Sequence, residues 1–367
     1  MKKIICFVGC MDVGGAETFL MKIFRTMDRS KYCMDFIVSR EGVYDNEILS
    51  LGGHIYIVPL KSEKTKEYIK QTYRILKKNK YDAAMVMSFC SHNTIDLIIA
   101  RMAGVKKLVM RSTNAPRRDT ISKKLQFMNK TLSFLPKNIP NVKIGPSKLA
   151  AEYLFGEETV DGGEVTVLNN GLDINEFCFS QDIRDYYRKT LGIQNKFVIG
   201  HVGRFNYQKN HDFLVDVFYE VQKERDDAIL LLVGTGELQV EIKNKAMNLD
   251  IDDKIIFLGV RKDVNNLLNA FDVFLFSSFF EGMPNTVIEA QTNGLPCLIS
   301  DSITEEAIVT DIVHMKSLKC SATEWKNSLL SLYESTSDFD RIEYAEEMKA
   351  AGYDIKDVAN NFIKLVF

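Results

Sequence analysis

Several hallmarks of special protein classes are missing from this chain. No apolar run approaches 18 residues, so no membrane-spanning helix is predicted. The seven cysteines contain no C-x-x-C pair and the five histidines have no ligand spacing, which argues against a disulfide framework or a metal site. This usage is typical of the reducing cytosol, and we expect neither a metal nor a cofactor.

What the chain does contain is an uneven distribution of charge. The net charge is only −2, but residues 1–171 hold 27 basic and 17 acidic side chains, whereas the remainder holds 20 and 32. A basic half and an acidic half suggest two units with different partners, although an accidental split is the alternative. The length of 367 residues also suits two domains better than one core.

Strand and helix patterns alternate in both halves, which predicts an α/β fold with parallel sheets covered on both faces. The predicted strands are 3–8, 34–38, 54–58, 83–87, 107–110 and 142–145, then 197–202, 228–233, 254–258, 273–276 and 296–299. The predicted helices include 17–27, 68–78, 93–103, 210–223, 239–249, 264–270 and 286–292.

This pattern predicts two doubly wound domains of similar size, an N-terminal one over 1–170 and a C-terminal one over 171–352. The last segment with an apolar helical pattern could pack on either domain, and residues 353–367 are a candidate to pack back on the first one. Ligands of open parallel sheets bind at the carboxyl ends of the strands. We therefore expect two facing sheets with the site in an interdomain cleft.

The segment from Glu281 to Glu289 places two carboxylates around a Gly-x-Pro turn. It follows a buried strand and leads into a helix, with Pro284 predicted at the first helical position. Between the carboxylates, the free N–H groups of the helix start form an anion site. This arrangement suits the phosphate and hydroxyl groups of a nucleotide sugar, although two ordinary surface glutamates are the alternative.

Two cations follow the first strand of the second half. Arg204 could grip phosphate oxygens bidentately, and Lys209 would add a point charge at the start of the next helix. Together they could straddle a diphosphate. Two solvated basic side chains are the alternative.

Glycine turns follow other strands. Gly234 and Gly236 end one strand, and Leu258 and Val260 flank a glycine at the end of the next, where a base could lie against main-chain groups. Gly15 and the glycine before it open the first helix of the chain. Paired glycines at this place would let the backbone approach a ligand closely. A simple tight turn is the alternative.

Taken together and in order, these segments resemble a known family. The chain resembles the GT-B glycosyltransferases of glycosyltransferase family 4, retaining enzymes that use nucleotide sugars, and above all bacterial enzymes of capsule, exopolysaccharide and O-antigen assembly. The resemblance runs through nearly the whole chain and is strongest over 198–301. Its motifs are Gly14-Gly-Ala-Glu17, Asn170-Gly-Leu-Asp173, Gly203-Arg204, Gln208-Lys209-Asn210, Gly234-Thr-Gly236-Glu237, Phe257-Leu-Gly259, Glu281-Gly-Met-Pro-Asn-Thr-Val-Ile-Glu289 and Gly294-Leu-Pro296.

The resemblance implies a role for each of these residues. Arg204 and Lys209 would neutralise the donor diphosphate, Glu289 would bond the ribose hydroxyls and Glu281 would lie beside the sugar ring. No metal would be needed, because protein cations supply the charge on the leaving group. Further donor contacts are implied for Gly15, Gly234, Gly236, Leu258, Val260, Asn285, Thr286 and Val287.

The first half departs from the family at one place. Many relatives carry a histidine after the fourth strand, whereas this chain has Ser88 there and His92 four residues later. Arg111 and Asn114 follow the next strand. All four are acceptor-side candidates, and Arg111 is preferred as an acceptor or phosphate contact, with a structural role as the alternative.

A stretch that mixes basic and apolar residues follows Arg117 and Arg118 and includes Lys123 and Lys124. Such a segment could lie on an anionic membrane surface and receive a lipid-linked acceptor. A solvated basic helix is the alternative. The protein is therefore expected in the cytoplasm, with the inner face of the plasma membrane as a second place.

The predicted function is transfer of a hexosyl or N-acetylhexosaminyl group from a nucleotide sugar, by default a UDP-sugar, to a lipid-linked or growing polysaccharide. No nucleic-acid partner is expected. Two alternatives stay open: a nucleotide-sugar epimerase of the same fold, and a non-catalytic scaffold that binds nucleotide sugars.

Overall fold

The computed structural model describes residues 1–12, 14–115, 121–336 and 340–367. They form two compact units, one made of Met1–Gly171 with Gly352–Phe367 and the other of Leu172–Ala351. Within the described ranges, no helix is long and apolar enough to cross a membrane. All seven cysteines are free thiols.

The first unit is built on a seven-stranded sheet. Its strands are β1 Lys2–Phe7, β2 Tyr32–Val38, β3 Ile55–Ile57, β4 Ala83–Met87, β5 Lys107–Arg111, β6 Val142–Gly145 and β7 Val165–Val167. Every pairing is parallel, in the order β3-β2-β1-β4-β5-β6-β7. The strand order reverses between β1 and β4, which makes that place the topological switch point of this sheet.

Helices connect the strands of this sheet. They are α1 Gly15–Thr26, α2 Asp45–Ser50, α3 Thr65–Asn79, α4 Ile95–Ala103, α5 Lys123–Thr131, α6 Phe134–Asn138, α7 Lys148–Phe155 and α8 Glu157–Asp161. A 3-10 turn at Ser91–Thr94 precedes α4.

The second unit repeats the plan with six parallel strands. They are β8 Phe197–Val202, β9 Ala228–Val233, β10 Ile255–Gly259, β11 Val273–Phe276, β12 Cys297–Ser300 and β13 Val313–Lys316, in the order β10-β9-β8-β11-β12-β13. The switch point of this sheet lies between β8 and β11.

The helices of the second unit, and one that returns to the first, complete the fold. They are α9 Ile174–Phe177, α10 Gln181–Leu191, α11 His211–Gln222, α12 Gln239–Asn248, α13 Val264–Ala270, α14 Asn285–Thr292, α15 Ala322–Ser335, α16 Glu343–Ala350 and α17 Ile355–Val366. Short 3-10 turns lie at Tyr207–Lys209, Asp252–Lys254 and Glu305–Ala307.

Helix α17 belongs to the apolar core of the first unit. Phe362 packs edge-on against Phe19 of α1, with ring centroids 6.0 Å apart. A Cβ at Gly171 would lie 2.9 Å from the Cα of Ile355, so the chain passes α17 at backbone distance. Helix α17, near the end of the chain, therefore packs its apolar face into the core of the first unit, and this burial stabilises its position there.

The predicted α/β fold with two doubly wound parallel sheets is confirmed, with local corrections. Strands β7 and β13 were not predicted, because each is a short strand at a sheet edge. The predicted helix over 93–103 begins as a 3-10 turn, and α4 itself starts at Ile95. Pro284 directly precedes α14 rather than opening it.

Candidate active site

Two loops at the switch point of the second sheet are tied together. The loop after β11 donates the Phe279 N–H to the Gln208 carbonyl at 2.8 Å, and the Gln208 side chain donates to Phe280 O at 2.9 Å. Tyr207 stacks on Phe279 with ring centroids 4.8 Å apart. These contacts fix the loop after β8 against the loop after β11.

Lys209 and Glu281 form an ion pair across these two loops. Nζ of Lys209 lies 2.7 Å from Oε1 of Glu281, and 4.5 Å from the ring centroid of Phe276 below. The side chains are 16% and 10% exposed, so the pair is largely withdrawn from water yet open on one side. The sequence predicted both residues for the site but did not predict that they pair.

The glycines after β9 are explained by close packing of backbone. Gly234 has φ of +133°, and a Cβ there would lie 2.0 Å from the Gly203 carbonyl oxygen. At Gly236 it would lie 2.3 Å from Phe205 O. The loops after β8 and β9 are also joined by the Gly203 N–H, which donates to Val233 O at 2.9 Å. Glycine is required here by the fold, whatever ligand also lies nearby.

Two buried histidines support the loop that carries Lys209. His201 donates through Nδ1 to Leu275 O at 2.9 Å, and His211 stacks on Phe205 with centroids 4.1 Å apart. Burial lowers the pKa of His201 well below its usual value and that of His211 to about 3. Both rings are therefore neutral, so neither places a second positive charge near the ammonium of Lys209.

Sequence reasoning missed both histidines. The signal was present, because His201 interrupts an apolar strand and a polar residue inside a buried strand calls for an explanation. Its role, however, depends on the rings that pack against it, which come from other segments.

Helix α14 presents its start beside Glu281. The hydroxyls of Thr286 and, on the preceding loop, Ser278 are buried, and neither has a hydrogen-bond partner among the described residues. Glu289 is half-buried one turn into the helix. A helix start with two such hydroxyls is a place where the oxygens of a ligand would gain hydrogen bonds.

The other predicted donor residues differ in exposure. Arg204 is exposed, and no ion pair of it occurs in the described part of the chain. Leu258 is half-buried and Val260 is exposed. Asn285 is half-buried and Val287 buried, so Val287 could offer only its main chain.

In the first unit, Gly15 is exposed at the start of α1. Glu17 reaches back over this start, because a Cβ at Gly14 would lie 2.4 Å from its Oε2. Burial raises the pKa of Glu17. Gly14 thus makes room for a carboxylate of the chain itself.

Three of the four acceptor-side candidates follow the ends of β4 and β5, and two of them, Ser88 and Asn114, are held by hydrogen bonds, whereas the buried Nδ1 of His92 has no partner among the described residues. The Ser88 hydroxyl accepts from the Cys90 N–H at 2.8 Å and from the Asn93 side chain at 2.9 Å. His92 is half-buried, and burial lowers its pKa. Asn114 accepts from the neighbouring Ala115 N–H at 2.8 Å, so it turns toward its own loop.

Arg111 is buried, with 2% of its surface exposed. Its guanidinium lies 3.8 Å from the ring centroid of Phe19 and donates to Leu168 O at 3.2 Å and Asn170 Oδ1 at 2.6 Å. Burial lowers its pKa to about 9. These contacts favour the structural alternative, in which Arg111 fastens the chain segment that leaves β7.

A groove of about 920 Å³ lies beside α5 in the first unit. Lys123, Lys130 and Phe127 line it, and Phe127 is 72% exposed. Arg117 and Arg118, which also belonged to the predicted membrane-facing stretch, lie outside the described residues. The described part of that stretch does present cations and an aromatic ring side by side.

Known proteins match both the sequence and the fold. The family "Glycosyl transferases group 1" matches residues 183–354. "Putative glycosyltransferase EpsF" of Bacillus subtilis (strain 168) is 32% identical over 311 residues, which cover 83% of this chain and 80% of that protein. The chain belongs to the group 1 glycosyltransferases. Its fold and its motifs therefore serve glycosyl transfer.

Two further matches place this glycosyltransferase among its relatives. An Escherichia coli protein, UDP-Gal:alpha-D-GlcNAc-diphosphoundecaprenol alpha-1,3-galactosyltransferase, is 31% identical over 233 residues, 62% of this chain and 60% of that one. The crystal structure of Anabaena Alr3699/HepE in complex with UDP and glucose has a TM-score of 0.81 at 18% identity and covers 99% of both chains. That structural match establishes the GT-B fold.

Proposed function

We propose that this glycosyltransferase is a retaining enzyme of glycosyltransferase family 4 that uses a UDP-sugar. It would move a hexosyl or N-acetylhexosaminyl group to a lipid-linked or growing polysaccharide without a metal. The observation that carries the proposal is the Lys209–Glu281 pair at the second switch point, beside the start of α14. Support for the donor comes from two relatives, one named for UDP-Gal and one crystallised with UDP and glucose.

In the proposed reaction the bond between the anomeric carbon and the diphosphate oxygen breaks while the acceptor oxygen attacks from the same face. The acceptor proton passes to the leaving phosphate, so the products are UDP and the extended glycan. Lys209 and Arg204 would stabilise the departing charge. Lys209 would exchange its present bond to Glu281 for a diphosphate oxygen, which frees Glu281 to accept from a sugar hydroxyl.

The test is turnover by the purified enzyme with a panel of UDP-sugars and a membrane-lipid acceptor extract. We expect Lys209→Ala to lower turnover by about 10²-fold or more, on the scale of one lost transition-state donor. Lys319→Ala, at an exposed lysine near β13, is the matched control and should retain activity. Wild-type turnover in Lys209→Ala would remove the phosphate role.

Two additions to the same assay separate the alternatives. Turnover that persists in excess EDTA supports metal independence, and its loss with recovery on adding Mg²⁺ contradicts it. Conversion of the donor sugar to its epimer without acceptor favours the epimerase. A protein that binds UDP but transfers nothing to any acceptor in the extract favours the scaffold.

The lipid-linked acceptor is supported by the groove beside α5. Replacing Lys123, Lys124 and Lys130 by glutamine should weaken binding to anionic vesicles about 10²-fold, at about 1 kcal/mol per lysine. The matched control replaces three exposed lysines of α3, namely Lys66, Lys70 and Lys77. Equal losses in both variants would show a response to net charge and contradict a membrane-facing groove.

A further inference from the structure

The residue before Lys209 is bonded to the residue before Glu281. Nε2 of Gln208 donates to the main-chain carbonyl oxygen of Phe280 at 2.9 Å, and the Gln208 carbonyl oxygen accepts from the Phe279 N–H at 2.8 Å. Gln208 thus binds two consecutive residues of the loop after β11, once with its side chain and once with its main chain. We call these two bonds the Gln208 clasp. Because hydrogen bonds are directional, two of them from one residue restrict both the distance and the orientation between the loops.

The ion pair by itself would restrict the two loops less. The ammonium of Lys209 lies at the end of a flexible four-carbon stem, and the carboxylate of Glu281 is also carried by rotatable bonds. Many backbone arrangements therefore allow the 2.7 Å contact between their charged atoms. The clasp binds main-chain atoms next to each of the two residues, so it acts on backbone position directly.

The backbone of each charged residue is also held on its own side. Oδ1 of Asn206 accepts from the Lys209 N–H at 3.2 Å, which fixes the turn that carries the lysine. The main chain of Glu281 forms a parallel bridge with Ile303, in the segment after β12. With both backbones held in this way, the bonds of Gln208 set the spacing between them.

Donor binding is the step at which this spacing matters most. In the proposed reaction, Lys209 exchanges Glu281 for a diphosphate oxygen, so the ion pair no longer joins the two loops once the sugar is in place. The Gln208 clasp consists of amide and main-chain groups, and none of them takes part in that exchange. The clasp therefore keeps the loops together after the ion pair has separated.

We propose that Gln208 is a positioning residue for glycosyl transfer. Its clasp holds Glu281 at the donor sugar while Lys209 is bound to the diphosphate. Gln208 itself touches neither the sugar nor the phosphate and acts through the position of Glu281. This inference rests on the proposed function, because it requires Lys209 to leave Glu281 when the donor binds.

The test compares turnover with nucleotide binding in Gln208→Met. Methionine is an unbranched side chain of similar length without an N–H, so it removes the side-chain bond of the clasp with little change in packing. With saturating UDP-sugars and the acceptor extract, we expect turnover to fall about 10-fold, because a misplaced sugar contact slows the chemical step. The Kd for UDP, measured by calorimetry, should stay within about 2-fold, since UDP has no sugar for Glu281 to contact.

Gln222→Met is the matched control. Nε2 of Gln222 donates to Ala228 O at 2.7 Å, so this variant also loses one bond from a glutamine amide to a main-chain carbonyl of the second unit. The bond lies at the amino end of β9, whereas the donor loops follow the carboxyl ends of the strands. We expect similar small losses of stability in urea for both variants, but wild-type turnover only in Gln222→Met.

Hydrogen exchange measures the clasp without relying on turnover. The wild type and both variants are compared with UDP bound, which is the state in which Lys209 has left Glu281. Peptides that cover 279–281 should exchange at least ~10-fold faster in Gln208→Met than in the wild type or in Gln222→Met, because the loop after β11 opens more often.

The outcomes separate this inference from the proposed function. Wild-type turnover in Gln208→Met overturns the positioning role, and so does an equal loss of turnover in Gln222→Met. A Kd for UDP that rises as much as turnover falls also overturns it, since that pattern shows damage to the whole phosphate-binding loop. Unchanged hydrogen exchange in Gln208→Met contradicts the clasp. A wild type that transfers no sugar contradicts the proposed function, and the positioning role fails with it.

Discussion

The switch points of the two sheets make an instructive pair. In the second unit, Lys209 and Glu281 meet across the loops after β8 and β11, and the loop after β9 packs so closely on the loop after β8 that glycine is required at Gly234 and Gly236. In the first unit, Lys61 and Asp96 meet at the same 2.7 Å, but around an open pocket. The switch point of the second unit is thus marked by close packing of backbone beside the ion pair, and that of the first unit by an open pocket.

This difference shows which structural features of a site produce a recognisable sequence motif. Close backbone packing restricts the allowed residue types over several consecutive positions, which produces a motif. A hollow pocket restricts only the few side chains that line it, and those are scattered along the chain. The comparison can be tested in stability and in binding.

The largest expected effect breaks the close packing of the second unit. Gly234→Ala should lower the free energy of unfolding by about 4 kcal/mol, because it combines an unfavourable φ with a direct clash against Gly203 O. Urea denaturation measures the change. In Gly192→Ala the φ is also positive, at +70°, but no atom lies within 4 Å, so the loss there should be only about 1 kcal/mol. Equal losses in the two variants would mean that the clash is relieved.

A smaller effect should come from the ion pair of the second unit. Lys209→Met leaves the Glu281 carboxylate largely buried without its cation, and we expect a loss of about 2 kcal/mol after discounting for partial exposure. The double variant Lys209→Met/Glu281→Gln should cost less than Lys209→Met alone, because no charge is left unpaired. Additive losses in the urea-denaturation cycle would show that the two groups do not interact.

The smallest effect concerns the buried histidines under the Lys209 loop. The folded pKa of His211 is about 3, below the unfolded value near 6.5, so protonation favours the unfolded chain. Stability should fall as pH drops from about 6.5 toward 3, by about 1 kcal/mol for this residue at pH 5.5. His211→Phe, which can stack on Phe205, should flatten that slope between pH 7.5 and 5.5.

The exposed His314 provides the comparison for this pH profile. His314→Gln should leave the slope as it is in the wild type. A slope that His211→Phe does not change would mean that other groups set the acid sensitivity of this unit.

Much of the fold could be read from the sequence. Buried parallel strands are continuous apolar runs, and β4, β9 and β11 have the predicted bounds for that reason. The edge strands β7 and β13 were missed, since strands of three or four residues with mixed exposure carry too little pattern. The start of α14 was misplaced by one residue, a position that depends on backbone angles at Pro284.

The site was predictable in part. Glu281, Lys209 and the glycines lie in contiguous motifs, so their membership in one region followed from strand ends. Their pairing did not, because it depends on how two loops 72 residues apart are joined by Gln208. Arg111 looked like a ligand contact from its place after a strand, and only its burial against Phe19 shows otherwise.

The sequence by itself determined the family, the two α/β units and the residues of the donor loops. These features depend on apolar patterns and on glycines that occupy neighbouring positions in the chain. Only the tertiary structure decided that Lys209 bonds Glu281, that Arg111 is buried and that Lys61, Asn93 and Asp96 share a pocket. The physical reason is that such contacts join segments far apart in the chain, and their distances depend on the packing of a whole unit.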